Sequence, residues 1–312
     1  MPTLNYAQRW EPGLIAILNQ QTLTSPFITS NVKWLKAKSF HFTQMSVSGY
    51  KKHSREGGFK QGKYTQSDKV YTLEHDRDIE FFVDKADVDE TNQTASAENI
   101  SAVFQRTQVA PETDALFFSK VATAAVTASL SSTTALADYN VDNVFTKLKE
   151  ILKRGKLRLY KQSSGLVMYV KSDIMDLLER SKELTKKVEI TQIAVGGLGI
   201  QTRVTHIDNV PIIEVIDTDR FYSAFNFDSE NGGYTPATGA KAINVLVACT
   251  ATCFTVPKIN SIYFFAPGEH TNGDGYLYQN RSLMDTFVFP NGLDGKVDSI
   301  AVDLDGTAAA AA

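Results

Sequence analysis

Two carboxylates one residue apart follow an apolar run where Ile300-Ala301-Val302 meets Asp303-Leu304-Asp305-Gly306-Thr307. At the end of a strand, such a pair can divide phosphoryl chemistry, one carboxylate attacking and the other donating a proton. A second candidate, Gly196-Gly197-Leu198-Gly199, could cradle a phosphate if it opened a helix whose first amides met the anion. The following Ile200 to Val204 alternates like a strand, so a plain turn is expected instead. A third, Asp84, Asp87, Asp89 and Glu90, offers oxygens suited to a hard cation. It lacks the ligand spacing and the glycine of a calcium loop and is expected to be a solvated or subunit-facing acidic surface. The histidines (His41, His53, His75, His206, His270) show no metal-ligand spacing. Cys249 and Cys253 have no further ligands nearby and read as small buried thiols.

Asp303-Leu304-Asp305-Gly306-Thr307 resembles the first motif of haloacid-dehalogenase-type phosphatases. There the first Asp is the nucleophile and the second the general acid. That family sets the motif on an early strand and supplies a metal ligand and a phosphate-binding Lys downstream. Here Ala308 to Ala312 follow, so catalysis at Asp303 and Asp305 is not expected. The chain is read as no enzyme, with no cofactor and no metal.

The elements that would carry these residues alternate between strand and helix. Ser39 to Val47 is rich in strand formers, and Val70 to Leu73 and Ile79 to Val83 are its expected return. Between them, Gly49 to Gly62 is polar, basic and glycine-punctuated, and cannot bury itself. Ile100, Val103 and Phe104 have helical spacing, and after Pro111 a helix is expected over residues 112–126. The clearest amphipathic helix is expected from a cap at Asp142, through Val144, Leu148, Ile151 and Leu152, to a left-handed close at Gly155. Then come a strand at Leu166 to Val170, a helix capped by Ser172, a strand at Val188 to Val195, and a hairpin turning at Asp208-Asn209. Strands at Ile243 to Val247, Ile262 to Phe265, Thr286 to Phe289 and Ile300 to Val302 complete an α+β order, not a doubly wound nucleotide fold.

Charge is segregated along this framework. From Lys33 to Lys63 eight basic residues face one acid, and from Glu74 to Glu98 nine acids face two basic residues. The net charge is only −3, so the segregation is local, which suits surfaces built to meet complementary surfaces. It also argues against a dedicated nucleic-acid binder. Lys51, Lys52, Arg55, Lys60 and Lys63, interleaved with Tyr50, Phe59 and Tyr64, could bind single strands. Docking of this basic tip on acids of a neighbouring copy, with Asp84, Asp87, Asp89 and Glu90 as partners, is the expectation preferred here. At 312 residues the chain can bury a core. It has no run of 18 or more apolar residues, and Met1 to Asn5 lack a secretory signal pattern. No membrane partner is expected, and a cytoplasm is the expected site of synthesis.

Asp76-Arg77-Asp78-Ile79-Glu80-Phe81-Phe82-Val83-Asp84-Lys85-Ala86-Asp87-Val88-Asp89-Glu90-Thr91, with Phe104-Gln105-Arg106 and Val109-Ala110-Pro111-Glu112-Thr113-Asp114-Ala115, resembles major capsid proteins of tailed bacteriophages, in particular siphophages of Gram-positive bacteria. Arg281 to Val288 resembles that family's closing strand. The resemblance implies the capsid shell fold shared with herpesviruses and encapsulins. By its implication residues 1–33 are an N-terminal arm, 34–83 an extended β-hairpin loop, and 84–137 a peripheral domain with a long spine helix. Residues 138–265 would then be an axial domain, and 266–312 strands returning to the peripheral domain plus a tail. It further implies a homo-oligomer of pentamers and hexamers, forming a virion shell around double-stranded DNA without sequence-specific binding. Scaffolding, portal and decoration proteins would be its further partners, and assembly would occur in the host cytoplasm. No long scaffolding segment precedes the arm, so scaffolding is expected to be separate or removed. The alternatives are an encapsulin-like protein compartment and, at a distance, a phosphatase using Asp303 and Asp305.

Overall fold

The structure, a computed structural model, describes residues 22–29, 34–36, 38–53, 59–86, 97–160, 165–181, 193–195, 198–200, 205–227, 232–271, 273–290 and 296–307. Along the chain come β1 (Trp34–Lys36), β2 (Ser39–Val47), β3 (Tyr64–Thr72) and β4 (His75–Asp84), then helices α1 (Ala97–Phe104) and α2 (Ala110–Thr127). There follow β5 (Ser131–Thr134), α3 (Val144–Ile151), α4 (Leu157–Tyr160), β6 (Leu166–Lys171) and α5 (Ser172–Arg180). The short strands β7 (Ile193–Val195), β8 (Leu198–Ile200) and β9 (Thr205–Ile207) lead to β10 (Val210–Val215). Last come β11 (Phe225–Asn226), β12 (Thr235–Pro236), β13 (Ile243–Cys249), β14 (Cys253–Phe265), β15 (Gly275–Val288) and β16 (Ala301–Asp305).

A six-stranded sheet, ordered β5-β16-β13-β6-β10-β9, holds the main core. Its central strands β6 and β13 read as nearly continuous apolar runs because both faces are covered. Successive side chains of a strand point to opposite faces, so Leu166, Met168 and Val170 join one core cluster with Val144, Leu148 and Ile151 of α3 and Ile174 and Leu178 of α5. Val167 and Tyr169 join the other, against Phe117, Phe118 and Val121 of α2. Asp208 and Asn209 both adopt positive φ between β9 and β10, as a two-residue hairpin turn requires.

A three-stranded sheet, β14-β15-β4, lies beside α1 and α2, and a further sheet, β1-β2-β3, forms the projecting hairpin. This α+β arrangement is the expected class, but several expectations change. The return of the hairpin is β3 alone, paired with β2 from Ser39↔Thr72 to Val47↔Tyr64. Ile79 to Val83 belong to β4, which pairs with β15 from His75↔Met284 to Asp84↔Gly275. The alternation of β4 fixed its strand character, while its partner lies some 200 residues away in sequence. The boundary expected at 265 does not coincide with a change of sheet, since β14 pairs with β15 from Cys253 onward. The segment 266–312 is divided too, because β16 inserts between β5 and β13 of the six-stranded sheet.

Pro111 does not break the long helix. A π-helical turn, Gln105–Val109, joins α1 to α2, widening the coil just ahead of a residue that lacks an N–H and crowds the preceding turn. Asp142 is not the cap of α3. Asn143 is the cap residue, and the Asn140 side chain accepts from the backbone N–H of Asp142 and Asn143 at 3.1 and 2.9 Å. Ser172 is the first residue of α5, not its cap, and its hydroxyl turns to Glu214 at 2.5 Å. Gly155 does close the turn after α3, at φ +52°, where a Cβ would lie 2.7 Å from the Asp298 carbonyl oxygen. The proposed strand over 188–195 is described only from Ile193, and β7 and β8 pair antiparallel; Gly196 and Gly197, where a plain turn was expected, lie outside the described residues.

Candidate assembly surface

The hairpin has two unlike faces. Phe40, Phe42 and Tyr71 point to one side and meet Phe254, Phe287 and Phe289 at the far end of the three-stranded sheet. Phe42 stacks on Phe289 with ring centroids 4.4 Å apart, and Phe40 meets Phe287 edge-on at 5.1 Å. This aromatic seat anchors the base of the hairpin. On the opposite side, Met45, Val47, Tyr64 and Val70 are exposed. Beyond the strands the two limbs stay joined: Ser48 N donates to Lys63 O at 2.8 Å, and Lys51 Nζ to Gln61 O at 2.8 Å. Tyr50 and Phe59 are fully exposed, and Lys51, Lys52, Lys60 and Lys63 are exposed beside them. Arg55 lies outside the described residues. A two-stranded ribbon of this kind gains little stability alone.

β4 supplies a second charged surface. Its exposure alternates, with Asp78, Glu80, Phe82 and Asp84 on the solvent side and Val83 buried. Asp76 begins the same row but is already engaged. Arg281 Nε and Nη2 donate to it at 3.1 and 3.0 Å, and Lys38 Nζ at 2.7 Å. These bonds, Arg281 first, hold its carboxyl down at about 2. Glu80 accepts from Gln279 at 2.6 Å, and Asp84 from the backbone N–H of Ala86 at 2.8 Å. The Phe82 ring lies over Gly275, where a Cβ would approach it to 2.7 Å, and meets His270 edge-on at 6.0 Å. Of the acids proposed as partners of the basic tip, Asp84 is here on the strand; Asp87, Asp89 and Glu90 lie outside the described residues.

Internal ion pairs fasten this surface to the core. Arg77 reaches Glu112 of α2 at 3.0 Å and donates to the carbonyls of Phe227 and, at 2.9 Å, Gly233. His75 shares Glu112 at 3.0 Å. Buried Asp285 accepts from Glu74 N at 3.1 Å, holding the link between β3 and β4. The N-terminal segment is held by Asp114, which is wholly buried in α2. Asp114 accepts from Leu23 N and Thr24 N at 3.0 Å each, from the Thr24 hydroxyl at 2.7 Å and from Arg220 at 3.0 Å. Burial pushes the Asp114 carboxyl up, against the opposing pull of Arg220 and these donors. The sequence reading assigned no role to Asp114 or Arg220; an acid directly before the apolar run Ala115 to Phe118 was the available signal.

Asp303 and Asp305 are not a catalytic pair. Both are buried, and Asp303 accepts from Ser132, from Thr134 at 2.9 Å, from Tyr139 at 2.8 Å and from Asn244 at 3.0 Å. Its oxygens are occupied, and a phosphoryl group has no approach to them. Asp305 accepts from the backbone of Leu136 and Thr307 at 3.3 and 3.1 Å. Cys249 and Cys253 are free and buried, and burial pushes the Cys253 thiol up to about 12. Among the described residues there is no cluster of metal-ligating side chains, and no helix is long and apolar enough to cross a membrane. An open groove of about 840 Å³ runs along α2 beside Phe225, Phe227, Lys120 and Lys296.

No family model matches this sequence, and no curated protein matches it. Solved structures do resemble the fold. A chain of the mature capsid of bacteriophage PhiM1 aligns with TM-score 0.56 and 14% identity, over 86% of this chain and 82% of that one. A chain of the capsid of cyanophage P-SCSP1u aligns at 0.55 and 11%, over 90% and 86%. A virus-like particle from Pyrococcus furiosus aligns at 0.50 and 11%, over 95% and 98%. At such identities the likeness establishes the fold: this chain has the tailed-phage capsid fold.

Proposed function

We propose that this chain is the major capsid protein of a tailed phage, of the siphophage kind that infects Gram-positive bacteria. Many copies form pentamers and hexamers and close an icosahedral shell around double-stranded DNA. The observation that carries the reading is the capsid fold over nearly the whole chain, joined to a hairpin whose outer half exposes apolar and basic side chains. Residues 1–33 act as the arm and β1 to β3 as the extended loop; β4, α1, α2, β14 and β15 act as the peripheral region with its spine helix, and the six-stranded sheet with α3 and α5, β16 included, as the axial region. The role is structural: geometry and surface complementarity, without a catalytic group or cofactor.

In this reading Lys51, Lys52, Arg55, Lys60 and Lys63 lie on a neighbouring subunit, where the acidic segment of Asp84, Asp87, Asp89 and Glu90 begins. Each exposed pair contributes about 0.2–1 kcal/mol, so stability comes from repetition and from apolar burial. Scaffolding, portal and decoration proteins are the further partners, assembly takes place in the host cytoplasm, and the product is a virion component. Electron microscopy of the purified chain tests the proposal directly. Closed spherical particles are expected, whereas tubes or only dispersed monomers would refute it.

A second reading has its own support in the likeness to the Pyrococcus furiosus virus-like particle over 95% of the chain. It is an encapsulin-like compartment that holds protein cargo. Nuclease-protected DNA inside particles from infected cells decides for the capsid, and protein cargo without DNA for the compartment.

A further inference from the structure

We infer that the elbow between α3 and α4, with Lys296 beside it, is a contact surface for the phosphate backbone of duplex DNA. This inference rests on the shell reading above, and it sets this corner of the six-stranded sheet toward the interior of the shell. From Lys147 to Arg158 six basic residues stand against one acid, Glu150, in a chain whose net charge is −3. Two of the six are engaged locally: Lys147 donates to Asp138 O at 2.7 Å, and Lys149 lies 3.9 Å from Asp208. Lys156 pairs with Asp298 at 3.3 Å. Lys153 and Arg158 are exposed, Arg154 is half-buried, and exposed Lys296 stands two residues before Asp298. Among the described residues none of these last four takes part in an ion pair.

The elbow is a fixed mount. Lys156 N donates to Asp298 O at 3.0 Å, the carbonyl that Gly155 approaches, and the Tyr160 hydroxyl donates to the Asp298 carboxylate at 3.1 Å. Leu152 and Leu157 are buried on either side. Arg154 N, Leu157 N and Leu159 N each close a turn onto the carbonyl three residues before, so Lys153 and Arg158 are wound to within about 10 Å of each other along the backbone. Duplex DNA carries one negative charge per about 1.7 Å of axis, so a stretch of that length offers roughly six phosphates. Cations at a helix C-terminus complement its dipole, but Lys156, Arg158 and Lys296 lie beyond α3, and the dipole does not account for them. The composition selects the partner. Protein interfaces place apolar and aromatic side chains at their centre and are depleted in lysine. The hairpin has that composition, with Met45, Val47, Tyr64 and Val70 exposed, whereas Leu159 is the one exposed large apolar side chain in α3, the elbow and α4. A surface so nearly all cation fits a polyanion.

Fluorescence anisotropy of a short labelled DNA duplex, titrated with the dispersed full chain over a range of salt concentrations, tests this. The elbow set carries Lys153→Gln, Arg158→Gln and Lys296→Gln and leaves the Lys156–Asp298 pair intact. The tip set, as a control, carries Lys51→Gln, Lys52→Gln, Lys60→Gln and Lys63→Gln. The unaltered chain is expected to bind duplexes of unrelated sequence alike, with an affinity that falls steeply with salt. Each phosphate contact adds about 0.9 to the slope of log affinity against log salt, so the elbow set is expected to lower that slope by about 3. The tip set is expected to leave it unchanged. With circular dichroism and melting temperature like those of the unaltered protein, the elbow set is also expected to form as many shells. Should it misfold, Lys153→Gln with Arg158→Gln serves instead, with a slope lower by about 2 expected. An unaltered chain that binds no duplex, an elbow set with an unchanged slope, or a slope lost in the tip set instead would overturn the inference while leaving the shell reading intact. An elbow set that binds DNA normally but forms no shells would overturn it too, assigning the elbow to contact between copies. Duplex binding as expected, with no shell from the unaltered chain, would sink the shell reading alone.

Discussion

Replacing Asp114 by alanine should free the N-terminal segment before it unfolds the protein. Asp114 is wholly buried and accepts four hydrogen bonds, two of them from the backbone of Leu23 and Thr24. Removing one member of a buried ion pair costs about 3–5 kcal/mol, because the remaining groups keep their desolvation without their partner. Arg220 is partly spared, since Asp217 still holds it at 2.7 Å. The stranded donors of Leu23 and Thr24 have a different escape, which is to leave the core for water. What opposes that escape is the burial of Phe27 against Phe117, at 4.5 Å, worth about 1.5–3 kcal/mol, and the Tyr169 hydroxyl bond to Leu23 O at 3.0 Å, worth about 1 kcal/mol. The two sides nearly balance, so the segment detaches locally. A loss of about 4 kcal/mol raises its opening constant roughly a thousandfold, which hydrogen exchange at Leu23, Thr24 and Thr29 would register while α2 and β6 stay protected. The pH dependence has a definite sign. The fold raises the Asp114 pKa above its ordinary value, so this group's contribution is fullest below the unfolded pKa and is lost as pH rises through the folded one. The alanine variant should lack that component. Unchanged exchange at Leu23 and Thr24 would refute the reasoning.

Three further outcomes follow from the same structure. Asp303→Ala should destabilise the fold by about 2 kcal/mol or more in urea unfolding, since it strands buried donors from Thr134, Tyr139 and Asn244, and no phosphatase turnover should exist for it to abolish. Cys253, buried and with its thiol pushed up to about 12, should resist alkylation at pH 8 until the protein is unfolded; rapid native labelling counts against the packing described. By NMR the Asp76 carboxyl should titrate at about 2, and its midpoint should rise in Arg281→Ala. Because a depressed carboxylate stabilises above its unfolded pKa and loses that contribution as pH falls through the folded one, Asp76 matters only in strong acid, and solvent screening keeps its effect small.

What the sequence displayed was local. The apolar run Leu166 to Val170, the Asp208-Asn209 turn and the left-handed Gly155 each carry their conformation in residue type, and each is found where expected. Pairing across distance was not legible. The alternation in Asp76 to Asp84 announces a strand, but nothing near it names β15 as the partner, so β4 was joined to the hairpin by proximity alone. Pro111 was placed at the first turn of a continuing or restarted helix, which is where it stands in α2; the π-helical turn Gln105–Val109 that joins it to α1 has no signal in residue type. The charged surfaces were half visible. Their opposite signs stand out by counting, whereas the single-face row Asp78, Glu80 and Asp84 becomes evident only when period-2 geometry is imposed on the acidic segment.

The placement of β16 bears on how the chain is made. Ala301–Asp305 lies between β5 and β13, bonded on both sides, and its Ala301, Val302 and Leu304 complete both apolar clusters of the six-stranded sheet. A chain emerging from the ribosome can form its helices and hairpins in order, but the slot between β5 and β13 stays empty until residue 305 has been synthesised. Completion of the sheet therefore waits for the synthesis of β16. A truncated product lacking β16 would display an open slot in place of a finished subunit, and translation would act as a checkpoint on which chains are fit to join their neighbours.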